Sequence, residues 1–182
     1  MRTVENRRCR WIGAPLIALL ALPAFATTPA ITGDDPLQPE DRHENIGELV
    51  TQFIQKSHYL HIAVNDDLSS RVMDRYMDEL DRNRMYLLES DVAFFEEYRL
   101  ELDDIVRNDS LQPVFDMFSI YRTRVRERFE FALQQLDTEP DLTVDEEYTF
   151  DRSENDWAKT TAELDEIWRQ RVKNDALNLA LT

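Results

Sequence analysis

Three kinds of side chain in this sequence are able to do chemistry: serine beside lysine, paired histidines, and carboxylates. Serine catalysis needs an activating base and an oxyanion hole. The serines are Ser57, Ser69, Ser70, Ser90, Ser110, Ser119 and Ser153, and the lysines are Lys56, Lys159 and Lys173. None of the serines lies in a Gly-x-Ser-x-Gly elbow or a Ser-x-x-Lys motif. His58 and His61 are three residues apart, and a helix would put both on one face, with Asp66 or Asp67 as a third donor. Zinc needs three or four ligands with a supporting shell, and this set is incomplete. Helix-end histidines are the simpler reading. The adjacent carboxylates Asp66-Asp67, Asp103-Asp104 and Glu146-Glu147 point to different faces of a helix. They mark no acid–base pair across a cleft. No catalytic, cofactor-binding or metal-ligating residue is assigned from the sequence, and no cofactor is called for.

The elements around these residues read as helices. The chain has 182 residues and three glycines. Glycine supplies tight turns, so its scarcity argues against a turn-rich β fold and against a phosphate-cradling loop. Ile46, Leu49, Val50, Phe53 and Ile54 follow the spacing of one buried stripe. Asn65 to Asp67 offer caps for a second helix, whose stripe is Leu68, Val72, Met73, Tyr76, Met77 and Leu80. Ser90 is the expected N-cap of a third, running from Val92 to Val106. Pro113 suits the first turn of a long fourth helix with a stripe through Val114, Phe118, Tyr121, Val125, Phe129 and Leu136. Its Arg122, Arg124, Arg126 and Arg128 are read as a solvated face paired with acidic neighbours. Leu142, Val144, Tyr148 and Phe150 alternate, mostly at spacing two, and predict a short extended segment. Thr160 and Glu163 are spaced as the capping box of a last helix.

The ends carry different signals. Residues 1–26 read as a signal peptide: a basic stretch with Arg2, Arg7, Arg8 and Arg10, an apolar run from Trp11 to Leu22, and Ala24-Phe25-Ala26 before a cleavage that leaves Thr27 first. The apolar run is shorter than the roughly 20 residues of a membrane span, so no stable span is expected after cleavage. Cys9, the lone cysteine, lies in the basic stretch, and the chain after cleavage has no thiol for a disulfide or a nucleophile. Residues 27–44 read as a linker, rich in Pro and Thr as far as Pro39. Residues 27–182 carry 17 basic and 36 acidic side chains, a net charge of −19. That field argues against nucleic acid and anionic membrane surfaces as partners. The sequence stops at Asn178-Leu179-Ala180-Leu181-Thr182 within an apolar helical stretch, which reads as a truncation.

Two stretches are more specific. The first runs Leu80-Asp81-Arg82-Asn83-Arg84-Met85-Tyr86-Leu87-Leu88-Glu89-Ser90-Asp91, preceded by His58-Tyr59-Leu60-His61 and Asp66 to Tyr76. The second has Tyr148, Asp151-Arg152-Ser153 and Trp157, then Leu164 to Lys173 with Trp168. In this order they resemble the N-terminal helical domain of the tail-specific protease (C-terminal-processing serine peptidase) family, over about residues 45–182. Arg82 stands where many relatives have proline. The resemblance implies a mainly α, multi-helix domain with a short extended segment, ending before a PDZ domain and a Ser–Lys protease domain. No position here matches either. It further implies a periplasmic location, a non-catalytic scaffold that helps enclose substrate, protein substrates reached through the missing domains, and a possible adaptor protein. A free-standing periplasmic helical binding or adaptor module is the alternative.

Overall fold

The computed structural model describes residues 37–60, 62–107 and 111–182. Six helices stand in order among them: α1 Asp41–Lys56, α2 Asp66–Asp81, α3 Glu89–Glu96, α4 Leu102–Arg107, α5 Gln112–Gln135 and α6 Thr161–Ala180. The fold is mainly α, as expected. The signal-peptide reading, Cys9, His61 and Asn108 to Ser110 lie outside the described residues.

Local chemistry sets several of the helix ends. Asn65 Oδ1 accepts from the Leu68 N–H at 3.2 Å and starts α2. Thr160 Oγ1 accepts from Glu163 N–H at 3.3 Å and starts α6, while the Glu163 carboxylate reaches back to the Lys159 N–H at 2.7 Å. Pro113 occupies the first turn of α5, where a missing N–H costs nothing. The cap of α3 departs from expectation. Leu88, not Ser90, is its N-cap, and Asp91 in the first turn accepts from the Leu88 N–H at 3.0 Å.

The third expected helix is two helices. Between α3 and α4 the chain turns through residues 97–101. Arg99 in that turn crosses to α2, where it donates to Ser70 O at 3.2 Å, Ser70 Oγ at 3.1 Å and Asp74 Oδ1 at 2.7 Å. The change of direction also lets Phe95, Leu102 and Ile105 all reach one core. That core holds Met73 and Met77 of α2, Leu87, Phe95, Leu102, Ile105 and Met117 of α5. Beneath it, Ser69 and Asp103 join α2 to α4. The Ser69 hydroxyl donates to Asp103 Oδ1 at 2.7 Å and accepts from the Asp103 N–H at 2.9 Å. Both are buried and both are satisfied, which a polar pair in a core requires.

Two stripes point elsewhere than the periodicity implied. On α5, Met117 is the buried position, while Phe118, Phe129 and Leu136 are exposed. A helix of 24 residues is about 36 Å long, so its C-terminal half runs beyond the α2–α4 core and faces α6 instead. There Arg128 is buried and pairs with Asp165 of α6, and Arg124 holds Asp91 of α3 through two bonds of 2.8 and 3.1 Å. These two arginines pair with acids as expected, but as partly buried interhelical ties and not on a solvated face. On α1, the apolar stripe faces outward. Ile46, Leu49, Val50 and Phe53 are each about half exposed or more, and the side turned to α4 carries Gly47 and the buried Thr51. A methyl group at Gly47 would come within 3.2 Å of Val106 Cγ1, so the small residue permits the close approach. α1 also begins at Asp41, inside the segment read as linker.

Candidate functional site

The most built part of the molecule is the loop after α2. Asp81 closes that helix and turns its carboxylate back under the chain that follows. Oδ1 accepts from the Met85 N–H at 2.8 Å; Oδ2 accepts from Tyr86 at 2.8 Å and Leu87 at 2.9 Å. The group is buried. Burial pushes its carboxyl above the usual range, while the three N–H donors and the nearby Arg152 charge pull it back down. Within the loop Arg84 adopts a left-handed backbone at φ 52°. A side chain in that region carries strain. Its guanidinium lies 5.3 Å over the Trp157 ring and donates to Asn155 O, which fixes the loop against the chain leading into α6.

That chain is the expected extended segment. Between Leu136 and Thr160 its one backbone pairing with another element is an isolated parallel bridge, Leu88 with Ala158, among the described residues. The Glu89 N–H donates to Ala158 O at 2.8 Å there. Its alternating residues do not form a packed strand: Leu142, Val144 and Phe150 are exposed. Polar contacts to α6 hold it instead. Glu146 accepts from Arg169 at 3.2 Å through both oxygens and from Lys173 at 3.2 Å, and Lys173 also donates to Val144 O at 3.0 Å. Arg169 and Lys173 hold the Glu146 carboxyl below its ordinary value. A depressed carboxyl stabilises the fold above its unfolded pKa and loses that contribution as pH falls through the folded one. Acidification below about pH 4.5 is therefore expected to free residues 142–148 first. Limited proteolysis across a pH series measures this; cleavage there that is no faster at acid pH than at neutral pH would count against the clasp.

α6 locks onto the same loop. Trp168 is buried, and its indole N–H donates to Met85 O at 2.6 Å. Its ring meets Tyr86 at 5.5 Å and Phe129 at 5.9 Å, with the Arg171 guanidinium 5.0 Å over it. The stretches 80–92 and 148–173, distant in sequence, are thus the two halves of one joint. A polar cavity of about 320 Å³ opens beside it, lined by residues such as Asp74, Met77, Asp81, Arg84, Arg99 and Trp157. Two of its arginines are already committed: Arg99 to Asp74 and Glu96, Arg84 to Trp157 and Asn155. What this arrangement does is hold α6 in a fixed place against α2 and α3.

Several of the residues first considered for chemistry have other employment. Ser69 serves the buried pair with Asp103, Ser119 donates to Phe115 O at 2.8 Å, and Ser153 donates to Asp151 at 2.7 Å. Lys173 is committed to Glu146. His58 lies past the end of α1, where its Nδ1 accepts from the Leu60 N–H at 3.4 Å. His43 sits in the first turn of α1, accepting from the Glu40 N–H at 2.9 Å beside the Phe115 ring. Among the described residues no group of three or more His, Cys, Asp or Glu side chains is placed to hold a metal ion, and no helix is long and apolar enough to cross a membrane. Asp81 was not singled out as a staple by the sequence. Its signal was a carboxylate at a helix end followed by a loop with no glycine.

With the joint in place, comparison with known proteins gives a consistent answer. A family model described as the tail specific protease N-terminal domain matches residues 50–182, which include every residue of the joint. The tail-specific protease of Haemophilus influenzae (strain ATCC 51907 / DSM 11121 / KW20 / Rd) is 34% identical over 164 residues. That alignment covers 88% of this chain and 24% of the relative. This chain belongs to the tail-specific protease N-terminal domain family.

Proposed function

We propose that this domain is the non-catalytic helical scaffold of a periplasmic tail-specific serine endopeptidase, one that processes or degrades proteins from their C-terminal tails. One observation carries the reading: a domain of this family is built around a joint in which Asp81, Arg84 and Trp168 spend their polar groups on holding the α2–α3 loop and α6 together. The 24% coverage of the relative leaves room for binding and cutting in further domains. Location rests on residues 1–26, whose three-part pattern is that of an exported, cleaved signal. Protein substrates, and an adaptor if there is one, would meet the protease through those further domains.

Two measurements test this. The coding sequence beyond codon 182 is expected to run on into a PDZ-like stretch and a Ser–Lys region; a stop codon there would favour a free-standing binding module instead. The 182-residue chain, expressed for export, is expected to begin at Thr27 by N-terminal sequencing and to leave a peptide with an apolar C-terminal tail uncut. Turnover of that peptide by chain purified to constant specific activity would overturn the scaffold reading.

A further inference from the structure

Residues 138–148 lie across the second half of α6 as a strap. A cavity of about 370 Å³ has walls that include Leu142, Tyr148, Gln170, Asn174 and Leu177. A second, of about 250 Å³, has walls that include Pro140, Arg169, Val172 and Gln135 at the end of α5. Val144, Glu146 and Lys173 line both. The helical turn puts Gln170, Asn174 and Leu177 to one side of Lys173, and Arg169 and Val172 to the other. The two cavities are therefore one furrow along α6, divided where the strap is tied down.

That tie is ionic and open to water. Glu146 accepts from Arg169 and from Lys173, and Lys173 also donates to Val144 O. The side chains of Glu146, Arg169 and Lys173 are 29%, 35% and 14% exposed. Ion pairs of this kind are weak and screened by salt. The other charges near them are acidic: Glu166 shares Arg169 at 2.7 Å, Asp141 feels the Lys173 charge, and Asp145 and Glu147 flank Glu146 on the exposed strap. The strap's own shape is local. The Asp141 carboxylate accepts from the Thr143 N–H at 2.9 Å and its hydroxyl at 2.6 Å, and the Tyr148 ring meets Phe150 edge-on at 4.8 Å. None of these contacts involves α6. The first half of α6 in turn is held by Leu164 and Trp168 at the joint, away from the strap.

We infer that residues 138–148 are a charge-latched strap that swings off α6 as a unit while the joint stays closed, merging the two cavities into one open furrow and baring Lys173 beside Val172. This goes beyond the scaffold reading and does not depend on it, since strap and furrow both lie within this domain. The 182-residue chain tests it at neutral pH, from about 0.01 M to about 1 M salt, over which the Debye length falls from about 30 Å to about 3 Å. Chymotrypsin cleavage after Leu142 and Tyr148, read by mass and corrected with a free peptide of residues 138–150, is expected to speed up at least about 3-fold with salt. Glu146→Gln is expected to be fast at low salt and flat across the series. Amide exchange at Leu164 to Trp168 is expected to stay unchanged throughout. In a Cys9→Ser background, Val172→Cys is expected to react faster with the neutral reagent iodoacetamide as salt rises. Screening of Lys173 alone would slow that reaction by raising the thiol pKa, so a faster one reports uncovering. Cleavage of the wild-type strap that ignores salt, the same salt response in Glu146→Gln, protection at Leu164 to Trp168 lost together with the strap, or alkylation of Val172→Cys that does not rise would each overturn the inference.

Discussion

Replacing Asp81 by alanine is expected to destabilise the domain by about 3–5 kcal/mol, among the largest effects any single polar substitution here should have. The side chain is buried and accepts three backbone N–H bonds within one loop. Alanine leaves all three donors without a partner, and a buried unsatisfied donor costs roughly 1–3 kcal/mol. The wild-type carboxylate is itself desolvated, which lifts its pKa and offsets part of what the three bonds contribute. The expected loss is therefore less than the sum of three charged hydrogen bonds. The Asp81→Asn variant should fall between. Its amide oxygen can serve Tyr86 and Leu87 while its NH₂ group meets the Met85 N–H, donor against donor. Urea unfolding followed by far-UV circular dichroism gives the comparison. A loss below about 1 kcal/mol for Asp81→Ala would mean that the loop relaxes and water satisfies the three N–H groups, and the joint would not be the rigid element described above.

How much of this was legible beforehand depends on which physics the sequence encodes locally. Asn65, Pro113 and Thr160 were found at their helix ends because a cap is a contact between residues three apart, and spacing alone reveals it. Periodicity likewise grouped Ile46, Val50 and Phe53 on one face. It could not say which way that face turns, because the answer lies in Val106, more than 50 residues on, which approaches Gly47 closely. The break between α3 and α4 had the same origin: Arg99 bonds to Ser70 and Asp74 on another helix. Arg128 looked like one more surface arginine until Asp165 of α6 was seen to pair with it. The two stretches that carried the family resemblance were legible as motifs, but not as one object. The structure supplies the reason they belong together: Trp168 in one donates to the Met85 carbonyl in the other.

That bond makes the second large prediction. Trp168→Ala is expected to cost about 3–5 kcal/mol, the range for a large aromatic removed from a core. Trp168→Phe should cost about 1–2 kcal/mol, since the ring packing against Tyr86 and Phe129 survives while the Met85 carbonyl loses its donor. The two variants separate packing from hydrogen bonding at one position. The alanine variant should also change where the domain opens, not only how stable it is. α6 packs on α5, where Asp165 pairs with the buried Arg128, meets the α2–α3 loop through Trp168, rests Leu164 on Leu88 and Ala158, and is otherwise held by the exposed Glu146 clasp. Exposed ion pairs contribute little. Without the indole, α6 is expected to detach as a unit at lower free energy than α2. Amide hydrogen exchange should then show α6 losing protection while Met73, Met77 and Phe95, in the separate α2–α5 core, keep theirs. Equal loss of protection across all the helices would mean that α6 and the core are one cooperative unit, and that the joint transmits stability throughout the domain instead of positioning a separable helix.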